Sequence, residues 1–494
     1  MARTPTTTVP TLSLAAERIP GPIRVAGFVL ALLALDAVLA ASLVDPRFSR
    51  LLLLFVGAGA AAAVFRFPLA VAIALLGFTD FVFHAGYFAF SVGPINARPY
   101  ELALAGLFAV AVVRPRRETW GGLPGAALAI FLVVVVISGL LAVSSGRAPL
   151  TDVFNWGRAL ALLPLFYVVI RLFPSVDDRR TLLTGAAVLA ATTGVVAGLV
   201  ALGWGLGESL QAPGDQAIRE QEGITGVQRV RLAGLSAAYA LFWYSAVRMA
   251  TARGTSRWMW IALLGGIGLN IAVSFNRNMW LGLALGLVLL IVVGGNFLRH
   301  RLAAGVAVAV TAAVLLVLLG PPAGENPILD PVLERGSTIL SPSAVTQEGS
   351  YQARERETRV AWETITDNLA LGVGAGADFG LFHDSRIGPN SFVRVPQLFL
   401  HNQYLYLLLI GGVPAFVAFL VFMGVPVARA FRRSPSDPLI AACGVGLTMV
   451  MVSALVALYF TVEDMTAIIG LLAGVIVADH DVRAAAGLDS GLAR

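Results

Sequence analysis

Long apolar segments constrain this chain more than any other feature of its sequence. The run "LPGAALAIFLVVVVISGLLA" contains no charged residue and has about the length that an α-helix needs to cross the hydrocarbon core of a bilayer. Similar segments recur between residues 23 and 478. Charged residues make up only 13% of the 494 residues, roughly half of their share in soluble domains, and the mean hydropathy is +0.82. The sequence therefore predicts an all-α polytopic membrane protein.

The apolar segments predict about 12–14 transmembrane helices. The candidate spans lie near 23–44, 50–65, 67–85, 99–113, 123–142, 157–173, 181–205, 231–248, 258–275, 278–297, 302–319, 398–427, 438–460 and 465–478.

Arginine clusters in the short loops predict the orientation of the chain. They lie near 114–117, 179–180, 248–257, 299–301 and 432–433. If all fourteen candidate spans cross the membrane, every one of these clusters lies on the same side of the membrane as the N-terminus. Because short cytoplasmic loops are enriched in basic residues, we predict cytoplasmic termini and a multi-pass protein of the cytoplasmic (inner) membrane.

The spans and loops divide the chain into five regions. These are a cytoplasmic N-terminal tail (1–22), spans 1–11 (23–319), one large extracytoplasmic loop (320–396), spans 12–14 (397–478) and a cytoplasmic C-terminal tail (479–494).

The large loop carries a helix signal over 348–368. Ala361 and Ile365 form a weak apolar stripe, and Arg359 and Glu363 stand at the i,i+4 spacing of a helical ion pair. We therefore expect an ordered outer helix.

Composition and local pattern exclude several classes of site. The single cysteine, Cys443, allows neither a disulfide framework nor a thiolate metal cluster. All 35 basic residues are arginine, so a lysine Schiff base is excluded, and the one-sided loops explain the positive charge without a nucleic-acid partner. The run "LALGVGAGADFG" (369–380) has no preceding strand, which a dinucleotide fingerprint requires. We predict a glycine turn that ends the outer helix.

Several polar residues stand where membrane spans meet the predicted outer surface. Arg277 lies between two apolar spans, Arg229 and Arg231 precede another, and His401 begins a third. Arginine inside a bilayer is costly, and anchoring at the lipid interface is the alternative for each arginine. Together with Arg359 they form a basic group on one face, and the forked guanidinium suits phosphate oxygens. This grouping predicts binding of a lipid-linked diphosphate.

Three stretches resemble the O-antigen ligase and polymerase family of membrane glycosyltransferases. "SFNRNMWLGL" is similar to an outer turn of that family, "RETRVAWETITDNLALGVGAGADF" to its Arg, Trp and Leu-Gly-x-Gly element, and "HNQYLYLLLIGGVPAF" to its His-Asn-x-Tyr-Leu element. The resemblance spans residues 225–425. It departs from the family at Asn278, where a small residue is usual.

The resemblance implies the membrane glycosyltransferase C type of fold and a defined reaction. Members move a glycan from a polyprenyl-diphosphate carrier to an acceptor hydroxyl outside the cytoplasmic membrane. The expected partners are this donor, a glycan or glycolipid acceptor and the membrane lipids. No cofactor, metal or nucleotide sugar is expected, and the active site should face the periplasm.

The resemblance also implies roles for individual residues. Arg277 and Arg359 are the expected diphosphate ligands, with Arg229 and Arg231 as further candidates. His401 is the expected catalytic base, since a neutral imidazole is suited to accept the proton of an attacking alcohol. The expected supporting residues are Asn402, Tyr404, Arg356 and His383; His383 is also a rival base within an expected flexible turn, "LFHDSRIGPN". The carboxylate that orients the base stays open among Glu363, Asp378, Asp384 and Asp464.

Two other functions are compatible with the sequence. A peptidoglycan-type polymerase would also use a lipid-linked glycan. A flippase or exporter of lipid-linked sugars should carry charges along a path through its spans, but only Asp36 and Asp80 lie near mid-span. The one-sided arrangement of the Arg and His residues therefore favours an enzyme.

Overall fold

The computed structural model describes residues 62–81, 90–92, 95–114, 119–201, 232–305 without 233, 275 and 297, 349–388, 391–433 and 436–485. Residues 67–494 form one compact unit and residues 1–66 another, and 62–66 of the latter are helical. The predicted span at 23–44, most of the spans at 50–65 and 302–319, and both Arg229 and Arg231 lie outside the described residues.

The described part of the larger unit consists of α-helices and two short β-hairpins. In chain order the elements are α1 (Pro68–Leu76), β1 (Phe90–Val92), β2 (Ile95–Ala97), α2 (Pro99–Val113), α3 (Gly122–Ser144), α4 (Leu150–Gly157), α5 (Leu165–Leu172), α6 (Val176–Ala201), α7 (Leu235–Thr251), α8 (Thr255–Val273), α9 (Arg277–Val293), α10 (Gly349–Asp367), β3 (Phe382–Gly388), β4 (Ser391–Pro396), α11 (Gln403–Arg433), α12 (Pro438–Ser453) and α13 (Glu463–Ala485). A π-helical turn, Gly77–Phe81, follows α1.

The helices coincide with the predicted spans wherever the chain is described. Every candidate span from 67–85 to 278–297, and each span after residue 397, has its own helix or helix pair. Within the described ranges, five helices are long and apolar enough to cross a membrane, and α4 with the segment that ends in α5 forms a bent sixth candidate, with an angle of 46°. These helices confirm the predicted class, an all-α polytopic membrane protein.

An ion-pair cluster joins three helix ends on one side of the bundle. The Asp479 carboxylate accepts from Arg179 Nη2 at 3.2 Å and from Arg433 Nη1 at 3.3 Å. Arg483 Nε lies 3.3 Å from the same carboxylate. The cluster joins the start of α6 to the ends of α11 and α13, so the arginine clusters that the sequence placed at 179–180 and 432–433 share one end of the bundle. The first residue of α11, Gln403, belongs to the opposite end.

The helix predicted for 348–368 forms as α10. Ala361 and Ile365 are buried on one face of α10, with 0% and 1% of their surface exposed. The expected ion pair between Arg359 and Glu363 is wrong, because neither side chain has an ion-pair partner among the described residues.

The glycine-rich run after α10 is a turn, as predicted, and it joins α10 to α11. Gly372 has a φ of +67°, and a Cβ at this position would approach Leu409 O to 2.3 Å. Opposite it, Gly412 interrupts α11 with a φ of 63°. The backbone N–H of Val373 donates to Leu409 O at 2.7 Å, and that of Val413 to Leu369 O at 2.9 Å. The kink in α11 thus provides backbone partners that hold the end of α10 against the membrane helices.

The segment "LFHDSRIGPN" is not the flexible turn that the sequence suggested. Phe382–Gly388 and Ser391–Pro396 form the antiparallel hairpin β3–β4, in which His383 stands opposite Val395. Pro389 and Asn390, two residues typical of turns, stand between the two strands in the sequence. They therefore indicate the connection between the strands and not a turn over the whole segment. Aromatic and β-branched residues on both sides favour the extended strands.

Candidate active site

A cavity of about 580 Å³ lies where α10 meets the start of α11. The connection between α12 and α13 lines it from a third direction. Arginines, Glu357 and His401 make part of the lining charged or polar, whereas Trp362 and Leu455 belong to a mainly apolar wall. The lining residues are Arg354, Glu355, Glu357, Thr358, Arg359, Trp362, Leu400, His401, Asn402, Leu405, Leu455 and Val456.

His401 and Glu357 form a close pair in this cavity. Nδ1 of the His401 ring lies 3.0 Å from both carboxylate oxygens of Glu357. The backbone N–H of His401 donates to the same carboxylate at 3.2 Å. Glu357 is almost fully buried, whereas a third of the His401 side chain is exposed. The arrangement holds one edge of the imidazole and leaves the rest of the ring open to the cavity.

The ionised carboxylate of Glu357 determines which ring nitrogen can accept a proton. Burial by itself would raise the pKa of Glu357, but the hydrogen bonds from His401 and Gln397 outweigh burial and hold this pKa below its ordinary value. An ionised carboxylate only accepts hydrogen bonds, so Nδ1 carries the proton of the neutral imidazole. Nε2, on the other edge of the ring, then keeps its lone pair and can act as a base.

A hydrogen bond from Gln397 and the packing of two aromatic rings also hold the His401–Glu357 pair in place. Nε2 of Gln397 donates to Glu357 Oε1 at 2.8 Å. The Phe399 ring meets the His401 ring edge-on at 5.7 Å between centroids, and Trp156 stacks on Phe399 at 5.8 Å. The imidazole plane is therefore held by packing as well as by hydrogen bonds.

Polar residues anchor the first turn of α11 beside His401. Oδ1 of Asn402 accepts from the backbone N–H groups of Tyr404 and Leu405 at 3.1 and 3.2 Å, which is the role of an N-cap. The buried Gln403 accepts from Phe460 N at 3.1 Å, and its own N–H donates to Ala454 O at 2.9 Å. The Tyr404 hydroxyl donates to Met451 O at 2.7 Å. Asn402 lines the cavity and caps the helix, whereas Tyr404 ties α11 to α12.

Two arginines of α10 line the cavity. Arg354 and Arg359 have neither a hydrogen-bonded nor an ion-paired side-chain group in the described part of the chain, and Arg354 Nε is buried without a partner there. Arg356 is exposed and is not among the lining residues. Of the two arginines expected on this helix, Arg359 lines the cavity and Arg356 does not, whereas Arg354 lines it as well.

The other candidate residues lie outside this cavity or outside the described residues. Arg277 begins α9 behind the N-cap Asn276, whose side chain accepts from Asn278 N at 3.2 Å. It is not among the lining residues. Of His383 the structure describes the strand position only, and Arg229 and Arg231 are not described. No three His, Cys, Asp or Glu side chains are grouped to hold a metal within the described ranges, and independence from metals stays a prediction.

The sequence interpretation missed the carboxylate that pairs with His401. Glu357 was not among the four carboxylates considered, of which Glu363 and Asp378 are exposed. A signal for Glu357 was nevertheless present: it precedes the buried Ala361 by four residues and Ile365 by eight. This spacing puts a carboxylate on the apolar face of α10, where an unpaired charge is too costly to bury. Such a residue requires a partner from another segment.

A comparison with known families identifies a domain that includes most of this site. Residues 240–420 match the family model described as O-antigen ligase. That region contains Arg277, Arg354, Glu357, Arg359 and His401. No curated protein matches the chain. The match at residues 240–420 supports the O-antigen ligase and polymerase family for this part of the chain, and with it a glycosyltransferase-type activity in cell-surface polysaccharide synthesis.

Proposed function

We propose that the protein transfers a glycan from a polyprenyl diphosphate to a hydroxyl group of an acceptor glycan or glycolipid, at the outer face of the cytoplasmic membrane. The observation that carries this proposal is the His401–Glu357 pair in a cavity that also contains two arginines without an ion-pair partner among the described residues. The family match supports the glycosyltransferase class. The lipid carrier and the orientation are our inferences.

In the proposed reaction His401 acts as the general base. Nε2 takes the proton of the acceptor hydroxyl while the oxygen attacks the anomeric carbon of the donor sugar. The bond between that carbon and the diphosphate oxygen breaks, and its electron pair leaves with the diphosphate. The imidazolium that forms is stabilised by the Glu357 carboxylate at 3.0 Å. General-base catalysis of this kind contributes roughly 10²–10⁴-fold to the rate.

The diphosphate is the group that Arg354 and Arg359 are suited to bind. Their guanidinium groups have no ion-pair partner among the described residues, so binding would not require an ion pair within that part of the chain to break. Charge-assisted hydrogen bonds from preplaced arginines stabilise the negative charge that develops on the leaving group. We include Arg277 as a further diphosphate ligand because it begins α9 at the end of the bundle where His401 also lies.

The apolar wall of the cavity suits the lipid part of the donor. Trp362 and Leu455 expose about half of their surface, at 54% and 51%, beside the charged wall. The first isoprene units of a polyprenyl chain could pack here while the diphosphate meets the arginines. An apolar wall beside a basic one fits an amphipathic lipid diphosphate better than a water-soluble nucleotide sugar.

The test is a reconstituted transfer reaction. Purified full-length protein in lipid vesicles receives a polyprenyl-diphosphate-linked oligosaccharide and a glycolipid acceptor, and mass spectrometry detects the products. We expect free polyprenyl diphosphate and an acceptor that has gained the glycan. Passage of intact lipid-linked glycan across the vesicle membrane, without release of the lipid diphosphate, would instead identify a flippase. Transfer only from a peptidoglycan-type precursor would favour the related polymerase.

A further inference from the structure

A second cavity, of about 650 Å³, lies between α1, α6 and α7. Arg180, Thr181 and Thr184 of α6 and Arg248 of α7 provide its polar side, and Ile73 and Val188 contribute apolar surface. The cavity therefore combines two guanidinium groups with two hydroxyls and an apolar wall.

This cavity lies at the opposite end of the bundle from His401. Arg180 follows Arg179, which binds Asp479 together with Arg433, the last residue of α11. His401, in contrast, precedes the first residue of α11. The cavity is thus separate from the candidate active site and lies at the surface that the sequence predicts to be cytoplasmic.

Among the described residues, carboxylates neutralise the arginines of this cavity less than they neutralise the neighbouring arginines. Arg179, Arg433 and Arg483 all pair with the buried carboxylate of Asp479. Arg248 forms no ion pair with a described residue, and its Nε is buried without a hydrogen-bond partner there. Among the described residues one carboxylate lines the cavity: Asp177 is 94% exposed and lies 3.8 Å from Arg180. Such an exposed pair contributes little, so the cavity keeps a net positive character.

Packing holds the polar groups of this cavity in place before any ligand binds. The Arg248 guanidinium carbon lies 5.2 Å from the centroid of the buried Trp260 ring. The hydroxyls of Thr184 and Tyr244 are 3.0 Å apart, and Tyr244 donates to Arg180 O at 3.3 Å. The wall from α6 is thus joined to the wall from α7.

We infer that this cavity binds the phosphate of an anionic phospholipid headgroup. Arginine is suited to phosphate oxygens through its forked donors, and basic pockets between membrane helices on the cytoplasmic side are sites for anionic headgroups. The phosphate oxygens accept from the Arg180 and Arg248 guanidinium groups that line the cavity, and the acyl chains follow the apolar surface at Ile73 and Val188. The site is independent of the proposed transfer reaction.

Lipid titrations of the full-length protein in a neutral detergent test this assignment. Dioctanoyl-phosphatidylglycerol should raise the apparent unfolding temperature, whereas dioctanoyl-phosphatidylcholine and sodium phosphate at equal concentration should not. In Arg180→Gln and in Arg248→Gln the apparent Kd for phosphatidylglycerol should rise at least about tenfold, the effect of one lost charge-assisted contact. Arg180 is half-exposed, so its variant should fold even if the loss of Arg248 from the Trp260 ring disturbs packing.

The matched control is Arg257→Gln, which removes an exposed arginine near the start of α8 that does not line the cavity. It should bind phosphatidylglycerol as the parent protein does. Equal weakening by Arg257→Gln would reduce the effect to a general attraction of the basic surface, and unchanged binding in Arg180→Gln and Arg248→Gln would refute the site. A shift by sodium phosphate that depends on Arg248 would assign the cavity to free phosphate instead of a lipid.

Discussion

Glu357 occupies a position on α10 that an apolar residue would fill if the helix had only to pack. It lies on the same face as Ala361 and Ile365 and is buried. Its carboxylate receives donors from Gln397 and from the ring and backbone of His401. The same contacts that make this buried charge tolerable also set the tautomer of the proposed base.

The lowered pKa of Glu357 predicts a dependence of stability on acid pH. A folded-state pKa below the ordinary value of 4.5 stabilises the folded protein above that value, and the stabilisation is lost as the pH falls through the folded pKa. Glu357→Gln lacks this carboxylate. The wild type should therefore unfold at a higher temperature than the variant near neutral pH, and the difference should narrow below pH 4.5. A difference that stays constant across this range would contradict an ionised, hydrogen-bonded Glu357.

Arg354 and Arg356 provide a matched pair on one helix turn. Only Arg354 lines the cavity. Arg354→Gln should weaken binding of the lipid-linked donor about tenfold to a hundredfold, since a hydrogen bond to a charged group is worth roughly 1.5–3 kcal/mol. Arg356→Gln should bind like the parent protein. Equal effects of the two substitutions in a binding assay would mean that α10 attracts the donor by its overall charge.

At the scale of elements, the position of α10 depends on the glycine turn that follows it. This turn contributes backbone hydrogen bonds to the kink of α11, and Ser138 of α3 donates to Leu371 O at 2.6 Å. The turn thereby connects α10 to the apolar helices α3 and α11. Glu357 reaches His401 because this connection fixes the direction in which α10 leaves the bundle.

Gly372→Ala should disturb this connection more than Gly380→Ala. Both glycines have positive φ angles, which cost another residue roughly 1–2 kcal/mol. At Gly372 the new Cβ would also meet Leu409 O at 2.3 Å, whereas nothing lies within 4 Å at Gly380. We expect the apparent unfolding temperature and the donor turnover to fall clearly in Gly372→Ala and only slightly in Gly380→Ala. Equal effects would show that the close approach at Gly372 does not position α10.

The sequence predicted the helices well because membrane spans depend on local apolar length. The bounds expected for 99–113 are those of α2, and α10 differs from its expected range, 348–368, by one residue at each end. The hairpin β3–β4 was missed because the pairing of two short strands depends on their surroundings more than on local pattern.

The candidate site was predicted in part. His401 and Arg359 follow from residue type and position, since each stands at a predicted membrane boundary or on a predicted outer helix. Glu357 and the lining residues Leu455 and Val456 could not be found in this way, because they are joined to His401 only by the packing of α10, α11 and the α12–α13 connection. Helical spacing could have singled out Glu357, but it could not name its partner.

At the scale of the whole molecule, the two ends of the bundle carry different chemistry. One end holds the cavity with His401, and the other holds the Asp479 ion-pair cluster and the cavity with Arg248. We predict that the first end faces outward and the second faces the cytoplasm, because arginine in short loops marks the cytoplasmic side.

Cysteine labelling tests this orientation. Glu363 on α10 and Ser436 before α12 are both exposed, and the native Cys443 is buried. In a Cys443→Ala background, Glu363→Cys should react with a membrane-impermeant maleimide on intact cells, whereas Ser436→Cys should react only after the cells are opened. The reverse pattern of labelling would place the candidate active site in the cytoplasm.

The most direct test of the proposed reaction separates turnover from donor binding in His401→Gln. Glutamine keeps a polar side chain at the start of α11 but cannot accept a proton to form a cation. We predict that His401→Gln binds polyprenyl-diphosphate-linked glycan within about twofold of the wild type and releases polyprenyl diphosphate 10²–10⁴-fold more slowly, the range that general-base catalysis supplies. Release at a rate near that of the wild type, with unchanged donor binding, would contradict the assignment of His401 as the base.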